Sequence, residues 1–153
     1  MNISPTQRFT SRVDNYRKYR PGYPPEIIPY LVENAWLTPQ SVIADIGAGT
    51  GLLTQLFLEH GNQVYAVEPN QAMRAAADEL LVGYAHYHSV DASAENTSLP
   101  DYSVDMITAA QAFHWFDHEK TKLEFQRVLK PGGMVVLIWN TARHRQPNRG
   151  GLQ

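Results

Sequence analysis

Apolar residues follow two repeating patterns between about residue 24 and residue 140. Short apolar runs predict buried β-strands, whereas apolar residues three or four positions apart predict helices that pack one face on a sheet. The predicted strands are Ser41–Ile46, Gln63–Val67, Tyr84–Val90, Val104–Ala109 and Met134–Trp139. The predicted helices span 27–36, Leu52–His60, Gln71–Leu81 and Asp117–Lys130. This alternation predicts an α/β fold with a doubly wound, mostly parallel, Rossmann-like sheet of five strands.

The ends of these elements carry their own signals. Pro24 and Pro25 suit the first turn of a helix, and Gly61 suits the end of one. Pro131-Gly132-Gly133 is expected to break the last helix before the last strand begins. The predicted core face of that helix is made of Leu123, Phe125, Val128 and Leu129.

Composition narrows the class of protein. Of 153 residues, 43% are hydrophobic and 18% are charged, which is typical of a globular domain. No apolar run approaches the roughly 20 residues of a membrane span, and the N-terminus has no signal-peptide core, so we expect a cytoplasmic protein without a membrane partner. The absence of cysteine excludes disulfides, a thiolate catalyst and cysteine-based zinc sites.

Charge divides the chain into three expected parts. Residues 1–23 form a basic arm, residues 24–140 form the ligand-binding domain, and residues 141–153 form a polar tail too poor in apolar residues to enter a core. The basic arm raises the question of nucleic acid, but no nucleic-acid-binding motif accompanies it. We therefore disfavour a nucleic-acid partner and expect some of that charge to meet a small anionic substrate.

The segment from Ser41 to Thr54 carries the most informative motif. A buried strand ends in Asp45, glycines follow at every second position (Gly47, Gly49, Gly51), and a helix begins at once. Backbone N–H groups at such a turn can hold a polar ligand. The spacing differs from the G-x-G-x-x-G dinucleotide motif, and no Gly-Lys-Ser/Thr ending marks a P-loop. An acid beside the turn suits a cationic or hydroxyl-rich ligand better than a pyrophosphate.

Glu68 follows the second predicted strand, 17 residues after Gly51. An acid at this place binds the two ribose hydroxyls of a nucleoside in related α/β folds. The alternative is a surface acid that opens the helix beginning near Asn70. The glycine segment upstream favours the ribose role, and the negative charge disfavours a 2′-phosphate.

Two further segments follow strand ends and leave alternatives open. Asp91 to Glu95 could contact an adenine edge or could cap a short helix. Gln111 to Asp117, rich in aromatic residues, could line a substrate pocket or seat its loop on the core. His114 is a candidate for that pocket, but no metal-ligand spacing surrounds it apart from His118-Glu119, so we predict no metal site.

Together these motifs resemble the class I S-adenosylmethionine-dependent methyltransferases, in particular the type 11 group that includes trans-aconitate methyltransferase-like proteins. The resemblance covers about Phe9 to Asn140. Beyond the glycine segment and Glu68, the matching motifs are Ala94-Glu95, Leu99-Pro-Asp101, Ser103-Val-Asp105, Gln111 to Trp115 and Leu129-Lys-Pro-Gly-Gly133. Tyr16, Tyr19, Arg20-Pro21 and Tyr23-Pro24 are similar to the N-terminal signature of that group.

The resemblance implies S-adenosyl-L-methionine as cofactor and a small-molecule methyl acceptor. The implied cofactor contacts are Asp45, Gly47, Ala48, Gly49, Gly51, Glu68, Ser93, Ala94, Glu95 and Gln111. Ser93 stands where many relatives have an aspartate, so Asp91 or backbone groups would take over that contact. His114 and Arg20 are the implied catalytic candidates, and Tyr16, Tyr19 and Trp115 the implied substrate contacts. The family fold usually adds a helix and two strands after the fifth strand, and we expect this chain to lack them, which leaves open a cofactor-binding or partner-regulating module without turnover.

Overall fold

A computed structural model describes residues 22–110 and 116–139. The strands are β1 (Val42–Ile46), β2 (Gln63–Val67), β3 (Tyr87–Val90), β4 (Val104–Ala110) and β5 (Leu129–Ile138). The helices are α1 (Ile27–Asn34), α2 (Leu52–His60), α3 (Gln71–Leu81) and α4 (His118–Val128). The predicted α/β order is therefore confirmed over the described residues.

The five strands form one parallel sheet in the order β3-β2-β1-β4-β5. β1 lies at the centre, where Ile46 pairs with Val67 of β2 and with Ala109 of β4. The chain reverses its direction of strand addition beside β1, which makes the carboxyl end of β1 the switch point of the sheet. Ligands of open α/β sheets bind at that point.

Alternate residues of the strands pack on opposite faces of the sheet. On one face, Ile43, Val64 and Met106 join the apolar side chains of α1 and α2 and Leu81 of α3. On the other face, Ala44, Ile46, Ile107 and Ala109 join α4 and two residues of the loop between β3 and β4. Burial on both faces explains the nearly continuous apolar runs of β1 and β4.

The structure corrects three details of the sequence prediction. β3 begins at Tyr87 rather than Tyr84, since the Tyr84 and Tyr87 amides close turns onto Leu81 and Tyr84. α4 ends at Val128 and β5 begins at Leu129, because Leu129 adopts an extended backbone and pairs with Val104. Pro131-Gly132-Gly133 therefore lies inside β5, where the pairing with β4 shifts register.

The predicted core face of α4 was wrong at Leu123, and its fourth predicted member, Leu129, belongs to β5. Leu123 is 68% exposed, whereas Thr121, Glu124, Phe125 and Val128 are buried. The helix turns a charged residue, Glu124, inward because that carboxylate finds partners on the neighbouring loop.

Candidate functional site

The glycine segment forms a tight turn at the carboxyl end of β1. Gly47, Gly49 and Gly51 have φ angles of 66°, 59° and 87°, a left-handed conformation that costs other residues free energy. The turn is tied to β2, since the amides of Gly47 and Ala48 donate to the Val67 carbonyl at 2.8 and 3.1 Å. Gly51 also caps α2, and it has no side chain to cover the first N–H groups of that helix.

Asp45 lies beneath this turn and is 1% exposed. Its carboxylate accepts hydrogen bonds from the hydroxyls of Thr54 on α2 (2.6 Å) and Thr108 on β4 (3.0 Å). Burial raises the pKa of Asp45 to about 6, the two hydroxyl bonds oppose that rise, and the negative charge of Glu68 adds to it. Among the described residues, Asp45 has no cationic partner within ion-pair distance. A cation placed here would relieve the cost of that buried charge.

Glu68 stands next to the glycine turn and is 8% exposed. One carboxylate oxygen accepts from the Gly49 amide at 2.8 Å and the other accepts from the Asn70 amide at 2.9 Å. Asn70 in turn caps α3 by accepting from the Met73 amide. The negative charge is thereby fixed at the joint between β2 and α3, and each carboxylate oxygen keeps a further lone pair for a hydroxyl group.

The loop after β3 approaches the same end of the sheet. Residues 91–103 contain neither a helix nor a strand, only an isolated antiparallel bridge between Ser93 and Asn96, so they do not form the short helix of the alternative interpretation. Ala94 is buried in the core beneath α4. The Glu95 carboxylate accepts from the Asp117 amide at 2.8 Å, and Asp91 pairs with Arg74 of α3 at 3.1 Å.

Sequence reasoning missed Glu124, the buried acid of α4. It accepts from the Thr97 amide (2.7 Å) and hydroxyl (2.8 Å), and both Nε and Nη2 of Arg127 donate to it at 2.8 Å. The Arg127 guanidinium holds the pKa of Glu124 well below its ordinary value, at about 2, although burial acts in the opposite direction. The available signal was the helical spacing of Thr121, Glu124 and Val128 with an arginine three residues after the acid.

The structure thus brings together Asp45, the glycine turn and Glu68, with Ser93, Ala94 and Glu95 on the adjoining loop. The other predicted site residues lie outside the described residues, so their roles stay predictions. They are Tyr16, Tyr19, Arg20, Gln111, His114 and Trp115. The arm and tail predicted for residues 1–23 and 141–153 lie almost entirely outside them as well.

Two features of the described residues concern membranes and metal ions. None of the helices in residues 22–110 and 116–139 has the length and apolar character needed to cross a membrane. Over the same residues, histidine and acidic side chains nowhere gather in the threes that hold a metal ion.

The donor set of this site fits S-adenosylmethionine. Glu68 is a fixed carboxylate of the kind that a ribose diol requires, and Asp45 is a buried anion without a cationic partner among the described residues, which suits a positively charged ligand. The amides of Gly47, Ala48, Gly49 and Gly51 already donate to acceptors within the chain, so the groups left to a ligand carboxylate are the first N–H groups of α2, which the Gly51 cap does not cover. The fold is Rossmann-like, and its site has the acids and the turn expected of a nucleoside-binding domain.

Comparison with known proteins gives the family. Residues 44–137 match the type 11 family described as a methyltransferase domain. The chain belongs to this family of class I S-adenosylmethionine-dependent methyltransferases. It is 40% identical over 139 residues to an uncharacterized methyltransferase of Mycobacterium tuberculosis, covering 90% of this chain and 54% of that protein. The chain thus spans about half the length of this curated relative.

Solved structures agree with the fold. An S-adenosylmethionine-dependent methyltransferase of Aquifex aeolicus superposes with a TM-score of 0.72 at 23% identity, over 95% of this chain and 79% of that one. At that identity the likeness shows the fold alone. Phosphoethanolamine N-methyltransferase 2 of Haemonchus contortus, solved with S-adenosyl-L-methionine, superposes with a TM-score of 0.61 at 28% identity. That match covers 66% of this chain and 24% of the nematode protein.

Proposed function

We propose that this chain transfers the methyl group of S-adenosylmethionine to a small-molecule acceptor, and that the acceptor atom is a carboxylate oxygen. The cofactor half of the proposal rests on one juxtaposition across the glycine turn. Asp45, a buried acid without an ion-pair partner among the described residues, lies near the fixed carboxylate of Glu68. The resemblance of the N-terminal segment to trans-aconitate methyltransferase-like proteins supports the choice of acceptor.

Each part of the cofactor has a place in this arrangement. Asp45 and the turn from Gly47 to Gly51, including Ala48, would hold the methionine part. Glu68 would bind the ribose hydroxyls, because its oxygens keep lone pairs beyond those used by the Gly49 and Asn70 amides. Ser93, Ala94 and Glu95 would border the adenine, with Gln111 nearby.

The bound cofactor supplies a methyl group already activated on a sulfonium. The protein's task is therefore to align the acceptor and to exclude water. A carboxylate acceptor has no proton to lose, so Arg20 would orient it through charge-assisted hydrogen bonds. An amine or hydroxyl acceptor would need a base, for which His114 is the candidate. Tyr16, Tyr19 and Trp115 would contact the acceptor.

The test has two stages on the full chain. Isothermal titration with S-adenosylmethionine, S-adenosylhomocysteine and NAD is expected to show binding of the first two only. A turnover assay then follows S-adenosylhomocysteine production over a panel of small carboxylic acids, amines and phenols, with His114→Ala and Arg20→Ala as paired variants. Turnover on acids that falls in Arg20→Ala and persists in His114→Ala supports the carboxylate proposal.

The outcomes that contradict the proposal are distinct. Binding of NAD in place of S-adenosylmethionine would overturn the cofactor. Binding of the cofactor without transfer to any acceptor would leave a cofactor-binding or partner-regulating module. Turnover confined to amines or phenols would replace the carboxylate with an acceptor that depends on His114.

A further inference from the structure

Helix α4 and the loop between β3 and β4 are joined along the whole length of the helix. At its start, Glu95 accepts from the Asp117 amide at 2.8 Å. At its end, Arg127 donates to Asp101 at 2.6 Å, and the amides of Tyr102 and Ser103 donate to the carbonyls of residues 127 and 128. Between these ends lies the most buried contact, made by Thr97 and Glu124.

Thr97 is the centre of this contact and is 1% exposed. Its amide and its hydroxyl both donate to Glu124, and the hydroxyl oxygen accepts in turn from the Leu99 amide at 3.2 Å. Ser98, which lies between Thr97 and Leu99, has a φ of 65°, a backbone conformation that costs a non-glycine residue free energy. Glu124 therefore stabilises a bend that the loop would not adopt from its own backbone preferences.

Arg127 makes this burial of a carboxylate tolerable. Its guanidinium donates through two nitrogens to Glu124, so the acid that holds Thr97 is paired as well as hydrogen-bonded. A buried acid with such a partner is a fixed acceptor, since moving it would separate an ion pair and free two donors of the loop.

We propose that Glu124 is a positioning residue for adenine recognition. Through Thr97 it fixes the loop that carries Ser93, Ala94 and Glu95, and so sets the shape of the adenine side of the site. This inference rests on the proposed cofactor site and adds a residue that contacts neither cofactor nor acceptor. Ala94 lies three residues before Thr97, and its burial anchors the same short stretch of loop from below.

The experiment compares S-adenosylhomocysteine with S-inosylhomocysteine, which carries hypoxanthine in place of adenine. Titration of the full chain is expected to show that the wild type prefers the adenine compound about tenfold, the size of one hydrogen-bond-dependent difference. In Glu124→Ala, binding of S-adenosylhomocysteine is expected to weaken about tenfold, which is about 1.4 kcal/mol, and the preference to fall to threefold or less.

Two variants separate positioning from general loss of stability. Glu124→Gln keeps an oxygen for both Thr97 donors but loses the charge and the acceptor of the Arg127 Nε bond. Its stability is expected to fall, whereas its adenine preference is expected to stay near the wild-type value. Val128→Ala removes buried methyl groups from the same helix but leaves the hydrogen bonds to the loop in place. It is expected to lower the unfolding temperature without changing the preference. Hydrogen exchange of the Thr97 amide, accelerated only in Glu124→Ala, reports the loop directly.

The results distinguish a positioning role of Glu124 from a purely structural one. Loss of preference in Glu124→Ala with rescue in Glu124→Gln supports the positioning role. Equal effects of Glu124→Ala and Val128→Ala, or a wild type that binds both nucleosides equally, would overturn it. If Glu124→Ala does not fold, Thr97→Val leaves the sequence of α4 unchanged and removes the hydroxyl that donates to Glu124 and accepts from the Leu99 amide. An unchanged preference in this variant would overturn the role. A wild type that binds neither compound would overturn the proposed function itself.

Discussion

Two buried carboxylates, Asp45 under the glycine turn and Glu124 on α4, are stabilised in opposite ways. Asp45 is held by two threonine hydroxyls, and burial raises its pKa to about 6. Glu124 is held by Thr97 and by a guanidinium, which lowers its pKa to about 2. This difference indicates which of the two acids stabilises the fold and which is available to a ligand. Glu124 already has its cation within the chain, whereas Asp45 carries a charge that a cationic ligand can compensate.

The two surrounding loops differ in the same sense. The turn after β1 places glycines at its positive φ angles, so its shape follows from residue type. The loop after β3 places Ser98 and Tyr102 at positive φ angles and depends on contacts with α4 to keep them there. The first loop is specified locally, and the second is specified by tertiary structure.

Gly51→Ala should have the largest effect on stability, because it replaces a glycine that the shape of the turn after β1 requires. The new Cβ would lie 2.8 Å from a Leu81 side-chain carbon and 3.2 Å from the Ala77 Cβ, at a φ of 87°. Strain and overpacking together are expected to cost about 3 kcal/mol or more. Urea unfolding measures this loss. Gly49→Ala is the control, since its Cβ would meet nothing closer than 3.6 Å, and equal losses would refute the packing argument.

Asp45→Asn tests the uncompensated charge. The folded-state pKa of about 6 exceeds the unfolded value, so ionisation costs stability as pH rises from about 4 to 6, and the full cost persists above pH 6. A pKa difference of one unit corresponds to about 1.4 kcal/mol. The free energy of unfolding of the variant should therefore exceed that of the wild type by roughly 3 kcal/mol at pH 8 and by little at pH 4. Unfolding by urea across this range gives the profile. A difference independent of pH would contradict the assignment of the pKa.

Glu68→Ala tests whether the acid beside the glycine turn binds the ligand. Loss of charge-assisted hydrogen bonds to a diol should weaken S-adenosylmethionine binding by about tenfold or more, corresponding to 1.5–3 kcal/mol. Titration calorimetry measures the affinity. Glu59→Ala is the matched control, since Glu59 is exposed and bonds only to the Tyr84 hydroxyl among the contacts described for it. Unchanged affinity in Glu68→Ala would remove Glu68 from the site.

Glu124→Gln should show the opposite pH dependence to Asp45→Asn. Since the pKa of Glu124 lies below its ordinary value of 4.5, its ionised form adds stability above about pH 4.5, and that stability is lost as pH falls toward 2. The variant is expected to be about 1–2 kcal/mol less stable than the wild type at pH 7, a figure reduced for the partial exposure of Arg127. Acid titration of the unfolding free energy checks whether the gap narrows, and a constant gap would count against the ion pair.

Ser98→Gly should have the smallest effect and a stabilising sign. Glycine accepts the positive φ of this position without steric cost, and the gain of about 1 kcal/mol is partly offset by the greater freedom of the unfolded chain. Thermal unfolding measures the change. Ser89→Gly in the edge strand β3 is the control and is expected to be destabilising. A destabilised Ser98→Gly would mean that the side chain, and not the backbone, holds the bend.

Local signals predicted most of the fold and the glycine side of the site. The bounds of α2, β2 and α3 follow from helical spacing, Gly61 and the Asn70 cap, all of which act within a few residues. The arginine three residues after Glu124 is a local signal for a paired acid, but no local signal indicates its other partner, because Thr97 lies 27 residues away in a loop without periodicity. The prediction that Leu123 is in the core was wrong because apolar character alone ranks leucine above glutamate at a buried position.

The bond between Thr108 and Asp45 spans 63 residues of the chain. Loop closure over that distance costs entropy until the intervening elements have formed, so we expect β4 to dock late in folding. In any state in which β4 has not yet docked, Asp45 lacks the Thr108 hydroxyl, one of its two hydroxyl partners. Ligand affinity measured during refolding would therefore report when β4 pairs with β1.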